Sequence, residues 1–326
     1  MVNQRKAYIY AISTVLIWST VASAFKISLR TLSPAHLLLY ANLTSVLLLG
    51  VILLCRRELG MALPKNRQEL LRSAGLGILN PFLYYLILLK AYDLIPAQEA
   101  QPLNSTWAIT LSILAVPLLK QKLSLREMLA ILVSFCGVVV ISTHGDPFGM
   151  NFSDPLGVAL ALGSTIVWAL YWIFNVRDGR PPLAGLFMNF LCALPLTLIY
   201  CLVFTEMQRP DLTGFLGAVY VGCFEMGISF VLWLQALKYT ASTAKISSIV
   251  FMLPFFSLLM IHFLVGEEIL PSTFYGLVLI VAGLVLQQIV KKKAVGTELL
   301  NHHPATEVAT EYHHPLGYPA PRHGDH

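Results

Sequence analysis

Charge is scarce in this chain. Of its 326 residues only 12% are Asp, Glu, Lys or Arg, whereas 56% are hydrophobic and the mean hydropathy is +0.70. A soluble domain carries roughly 25% charged residues, so this supply excludes a water-facing surface around a packed globule. The sequence also lacks HExxH, GxSxG, a nucleotide P-loop and a mid-membrane aspartate pair. Those absences argue against a metalloprotease, a serine hydrolase, a self-contained ATP-driven pump and an intramembrane aspartyl protease. Only five cysteines occur (Cys55, Cys136, Cys192, Cys201 and Cys223), in or beside apolar runs and without CxxC spacing, so they read as packing residues. The net charge of +5 comes from short basic clusters between apolar runs and not from a basic face. Nucleic acid is therefore not an expected partner, no cofactor is expected, and no metal site is expected among the apolar runs.

What the chain has in abundance is long apolar runs. Crossing a bilayer takes ~20 mainly apolar residues per helix. Runs of that kind fall at 8–27, 34–55, 73–92, 97–119, 124–142, 155–175, 182–204, 214–238, 242–264 and 271–290. The expected fold is an all-α membrane protein of ten transmembrane helices. A signal-peptide-like start, with Arg5 and Lys6 before an apolar stretch and Ala22-Ser23-Ala24, is read as the first of these helices.

Basic residues are retained on the cytoplasmic side of a membrane. Arg5, Lys6, Arg56, Arg57, Lys65, Arg67, Arg72, Lys120, Lys122, Arg126, Arg177, Arg180, Lys238 and Lys291 to Lys293 fall on one side. Arg30 and Arg209 fall on the other, so sixteen against two places both termini in the cytoplasm.

The two halves resemble each other. Leu16-Ile17-Trp18 parallels Ile166-Val167-Trp168, and Leu89-Lys90-Ala91 parallels Leu234-Gln235-Ala236. Gln121-Lys122-Leu123 with Gly137 matches Glu267-Glu268-Ile269 with Gly283 at an offset of 146. Five helices is an odd number, so the second copy enters from the opposite side. Two inverted five-helix repeats are expected, at 1–145 and 146–293, followed by a polar His- and Pro-rich tail at 294–326. The tail reads as a disordered cytoplasmic extension or a metal-binding segment. Inverted repeats with a site between them form a transporter architecture.

Polar groups within apolar spans are the functional candidates. Glu225 falls near the middle of 214–238, and its repeat equivalent is Asn80 beside Pro81. The pair points either to a shared central cavity, into which Tyr84 would also project, or to buried hydrogen bonding between helices. A carboxylate at that depth that exchanges its charge for a proton would couple transport to protons. At 100° per residue Glu99, Thr106, Trp107 and Thr110 share one arc with Asn104 at its edge, which gives either a polar and aromatic wall or a helix start facing water. Ser164, Trp168, Tyr171, Trp172 and Asn175 form a stripe on 155–175, either a substrate surface or packing. Lys245 is positioned to meet Glu225 or a substrate carboxylate, or to reach the interface.

With Leu16-Ile17-Trp18-Ser19-Thr20 and the Gly266-Glu267-Glu268 turn followed by Gly276 and Gly283, the chain resembles the EamA-type transporters of the drug/metabolite superfamily. The first half departs from that pattern, with Lys120-Gln121-Lys122 where a glutamate is common. A narrower similarity is to bacterial aromatic amino acid and paraquat exporters, carried by Glu99-x4-Asn104-x2-Trp107 and Trp168-Ala169-x-Tyr171-x3-Asn175. The resemblance implies a bacterial inner-membrane secondary transporter, not an enzyme. It would export amino acids or related amphipathic compounds, with protons as a candidate coupling partner. Exchange or import of another metabolite, such as a purine, sugar-linked or drug-like compound, and an intramembrane enzyme are the alternatives.

Overall fold

A computed structural model describes residues 3–119, 124–149, 152–175, 178–240, 246 and 248–302. Among them there is helix and no strand. Eight helices are long and apolar enough to cross a membrane: Gln4–Ser28, Pro34–Cys55, Arg67–Leu94, Leu125–Ser142, Pro155–Asn175, Pro182–Phe204, Leu212–Tyr239 and the last, of which Pro271–Ile289 is the apolar part. The fourth span is the pair Ala97–Asn104 and Trp107–Leu119, and the ninth includes the shorter apolar helix Ile249–Val265. The protein is thus an all-α membrane protein of ten spans.

Local chemistry sets the ends. Ser33 caps the second span by accepting from the His36 amide, with Pro34 in the first turn where no amide partner is needed. Ser124 and Glu127 form a reciprocal capping box at the start of the fifth span. Asp211 accepts from the Gly214 amide to open the eighth. Along the second span Leu43, Leu47, Val51 and Leu54 are exposed, at helical spacing on one face. In water that stripe would be unstable; against lipid tails it is the expected surface.

Two expectations change. The fourth span is not one regular helix: it is interrupted at Ser105 and Thr106, three residues after Pro102, which has no amide to give the helix. The last helix runs on from Pro271 to His302, past the expected end at 290. Residues 303–326 and Lys245 lie outside the described residues.

The repeat is visible as contacts made twice. A Cβ on Gly137 of the fifth span would collide with the Gly276 carbonyl and the Ile280 backbone of the tenth. A Cβ on Gly283 would collide with the Ala130 carbonyl and Ser134 of the fifth. Adding 146 to Ala130, Ser134 and Gly137 gives Gly276, Ile280 and Gly283, so the seam is the same contact written from each half. Ser134 Oγ donates across it to the Ile280 carbonyl at 3.1 Å. Likewise Gly77 of the third span abuts Asn189 and Ala193 of the seventh, and Gly222 of the eighth abuts Ala41 and Thr44 of the second. Small residues allow such close backbone approach between membrane helices.

The third and eighth spans both depart from regular α-helix at mid-length, each in its own way. The third is kinked within Ile78–Leu83 at Asn80, whose backbone is extended at φ −143° and ψ 118° beside Pro81. The eighth widens to a π-type coil over Val221–Ile228, which includes Glu225.

Candidate substrate site between the repeats

Ring contacts assemble an aromatic basket from both halves. Tyr84 lies 4.5 Å from Trp168 between ring centroids and 4.8 Å from Tyr85. Trp168 meets Tyr171 at 5.8 Å and Trp172 at 5.7 Å. On the other side Trp18 of the first span meets Phe230 at 6.4 Å and Trp233 at 5.8 Å on the eighth. Between these two sets lies a cavity of ≈ 30 Å³, room for a water in this state and a space that must widen to take a metabolite, lined by Tyr171, Trp172, Asn175, Pro182, Leu186, Phe230, Trp233 and Leu234.

Polar groups punctuate the basket. The Tyr85 hydroxyl donates to Glu225 Oε1 at 2.9 Å, and Ser229 Oγ donates to the Glu225 carbonyl at 2.8 Å. Glu225 is half-buried, so its carboxylate is anchored without being sealed off. The Tyr84 hydroxyl donates to Asn104 Oδ1 at 3.3 Å, and Asn104 Nδ2 donates to Ser164 Oγ at 3.0 Å. Trp172 Nε1 is a buried donor with no hydrogen-bond partner among the described residues. It offers a hydrogen bond to a guest in the cavity. Arg180, near the start of the seventh span, is matched by Asp178, with Nη2 to Oδ2 at 2.6 Å, so its charge is neutralised locally.

The structure therefore brings together Trp18, Tyr84, Asn104, Ser164, Trp168, Tyr171, Trp172, Asn175 and Glu225. It does not gather the rest. Asn80 is fully buried, and neither side-chain polar atom has a partner among the described residues. It stands at the kink of the third span, at the position that matches Glu225 of the eighth, without sharing its hydrogen bonds. Glu99 is drawn to the far end of its helix: Oε1 accepts from Ser153 Oγ at 2.8 Å and lies 2.9 Å from His144 Nε2. Thr110 bonds Thr165 at 2.8 Å, and Trp107 is half-buried outside the ring contacts found among the described residues. The interruption at Ser105 and Thr106 breaks the register on which the shared arc depended. Tyr85, Phe230 and Trp233 belong to the basket and were not expected there. One signal was legible: Glu225, Ser229 and Trp233 recur every four residues, one face of a helix.

A ten-span helical bundle with paired halves and a ring-lined cavity between them defines a membrane transporter architecture. The model of the EamA-like transporter family matches residues 5–143 and 155–287, and the chain belongs to that family. It is 26% identical over 307 residues to an uncharacterized transporter of Clostridium kluyveri, covering 89% of this chain and 95% of the relative. An uncharacterized transporter of Archaeoglobus fulgidus is 26% identical over 295 residues, covering 88% of this chain and 100% of the relative. The uncharacterized transporter YvbV of Bacillus subtilis is 25% identical over 221 residues, covering 64% of this chain and 69% of the relative. One solved structure, the crystal structure of a protein, superposes with a TM-score of 0.63 at 19% identity, covering 90% of this chain and 99% of that one. That likeness concerns the fold.

Proposed function

We propose that this transporter exports small amphipathic metabolites that carry an amine, amino acids and related compounds among them, by alternating access between two repeats at 1–145 and 146–293. The tail at 294–326 and both termini would face the cytoplasm of a bacterial cell, with the protein in its inner membrane. The observation that carries the reading is the Glu225 carboxylate, held by Tyr85 beside a basket of aromatic rings. A carboxylate desolvated among rings needs a positive or hydrogen-bonding partner, and an amine supplies both while its apolar part lies against the rings. Stacking and cation–π contacts favour such a guest by about 0.5–2 kcal/mol each. Asn104, Ser164, Asn175 and the Trp172 indole would meet a carboxylate or hydroxyl. The carboxylate of Glu225 would alternate between substrate amine and proton, which couples export to a proton gradient.

Counterflow in proteoliposomes tests this. Unlabelled substrate inside should accelerate entry of a labelled amino acid or amine, and Glu225→Gln should weaken that gain for amines. A panel of amino acids and amines with no counterflow, alongside counterflow of purines or sugar phosphates, would overturn the proposed substrate class.

A further inference from the structure

The substrate site leaves unused a group of charged side chains at the opposite end of the bundle, the end poor in basic residues. Lys26, near the close of the first span, donates from Nζ to the carbonyls of Tyr92 at 2.7 Å and Ile95 at 2.9 Å. Tyr92 lies in the last turn of the third span and Ile95 is the residue that caps it. The Glu267 carboxylate accepts from the amides of Ala97 at 2.9 Å and Gln98 at 3.0 Å. These are the first amides of the fourth span. A cation thus sits at a helix C-terminus and an anion at a helix N-terminus, each opposite in sign to the partial charge it meets. The bend at residues 95–97 is clasped from both sides.

The clasp joins the two repeats, because Glu267 comes from the second and the amides it holds come from the first. Gly266, with φ at +82°, makes the left-handed turn that presents Glu267. Gln98 reinforces it: Nε2 donates to the Glu268 carbonyl at 2.8 Å, and Oε1 accepts from the Leu270 amide at 2.8 Å. Glu99, on the same short helix, is tied to His144 and Ser153. At the offset of 146 the counterpart of Glu267 in the first half is Gln121, which carries no charge. The charged clasp is therefore written into one end of an otherwise repeated fold.

We propose that Lys26 and Glu267 are gate residues: their charge-assisted caps hold this end shut in the state described here, and breaking them opens it during transport. The role in transport rests on the function proposed above, but the closure itself is testable without any substrate. Ala100 is fully buried, two residues beyond the second clasped amide. An Ala100→Cys reporter in the full chain, in lipid nanodiscs, would be exposed to a membrane-impermeant maleimide and followed site by site by mass spectrometry. The native Cys201, fully buried on the seventh span, serves as the internal reference.

Glu267→Gln and Lys26→Met should each raise the labelling rate at position 100 by roughly ten-fold, the effect of losing charge-assisted bonds on the closed population. Glu268→Gln should leave it unchanged, because Glu268 is exposed and touches Gln98 only through its backbone. Unchanged labelling in the Glu267 and Lys26 variants would overturn the gate, as would an equal rise in Glu268→Gln. A parallel rise at Cys201 would reveal general loosening and overturn it too. A substrate panel that fails in counterflow would refute the proposed substrate and leave the labelling result standing.

Discussion

Gly283→Ala should destabilise the protein, and the seam between the fifth and tenth spans sets the size of the effect. The new Cβ would lie 2.5 Å from the Ala130 carbonyl oxygen and 2.9 Å from the Ser134 amide nitrogen. Both are backbone atoms of a packed helix, so relief requires the two spans to move apart. Overpacking of this kind costs about 1–3 kcal/mol. Separation also stretches the bond from Ser134 to the Ile280 carbonyl, and membrane interhelical hydrogen bonds are worth about 0.6 kcal/mol on average. Gly163 is the internal comparison, since a Cβ there meets nothing within 4 Å. Gly163→Ala should be neutral or stabilise by up to about 1 kcal/mol through helix propensity. Unfolding in mixed detergent micelles, followed by circular dichroism, gives both values. Gly137→Ala should behave as Gly283→Ala does, and the double variant should cost less than the sum because the two share one seam. Equal stability of Gly283→Ala and Gly163→Ala would refute the close approach and the repeat symmetry read from it.

Trp168→Ala and Tyr171→Ala should each weaken substrate binding, by roughly 2- to 30-fold for a lost stacking or cation–π contact; parent-like affinity in well-folded protein would leave these rings as packing. Glu225→Gln should flatten the pH dependence of transport, while Tyr85→Phe, which keeps the ring and removes the donor, should shift that dependence without erasing it; identical pH profiles in all three proteins would exclude Glu225 from coupling. Glu99→Gln should cost about 1–3 kcal/mol of stability through a weakened charged hydrogen bond to His144 and leave substrate affinity unchanged in equilibrium binding. Accessibility tags at Lys65 and Asp146 should report opposite faces of the membrane, and a shared face would break the five-plus-five topology.

Much of this architecture was legible because hydropathy in a bilayer is set locally. Each run of apolar residues has to become a helix, since lipid offers no other partner for backbone amides. The offset of 146 between Gly137 and Gly283 and the alignment of Asn80 with Glu225 were likewise readable, and they mark a real seam and two mid-span breaks from regular helix. What escaped was decided by distant partners. Regular helical geometry carried through Pro102 puts Glu99 on one arc with Trp107, to be read as a wall or as a helix start facing water. The loop residues His144 and Ser153, some fifty positions away in sequence, claim its carboxylate instead. Glu267 stood out only as part of a turn, and its task is set by amides 170 residues upstream. Tyr84 and Tyr85 are adjacent on one helix and face different ways, and only the packing of the eighth span decides that Tyr85 reaches Glu225.

The mid-span breaks at Asn80 and Glu225 have a mechanical consequence. The extended Asn80 interrupts the coil of the third span, and the π-type stretch around Glu225 carries an extra residue per loop of the eighth, so in each span the segments on the two sides are out of phase and less tightly linked than in a continuous helix. Each of these two long rods therefore behaves as an upper and a lower arm joined at the same depth. One arm can swing while the other stays seated, and the load passes through the joint and not along the whole rod. Cargo resting against Glu225 would lie at the fulcrum, where displacement is smallest, so the lever can tip from one side of the membrane to the other while its grip stays in place.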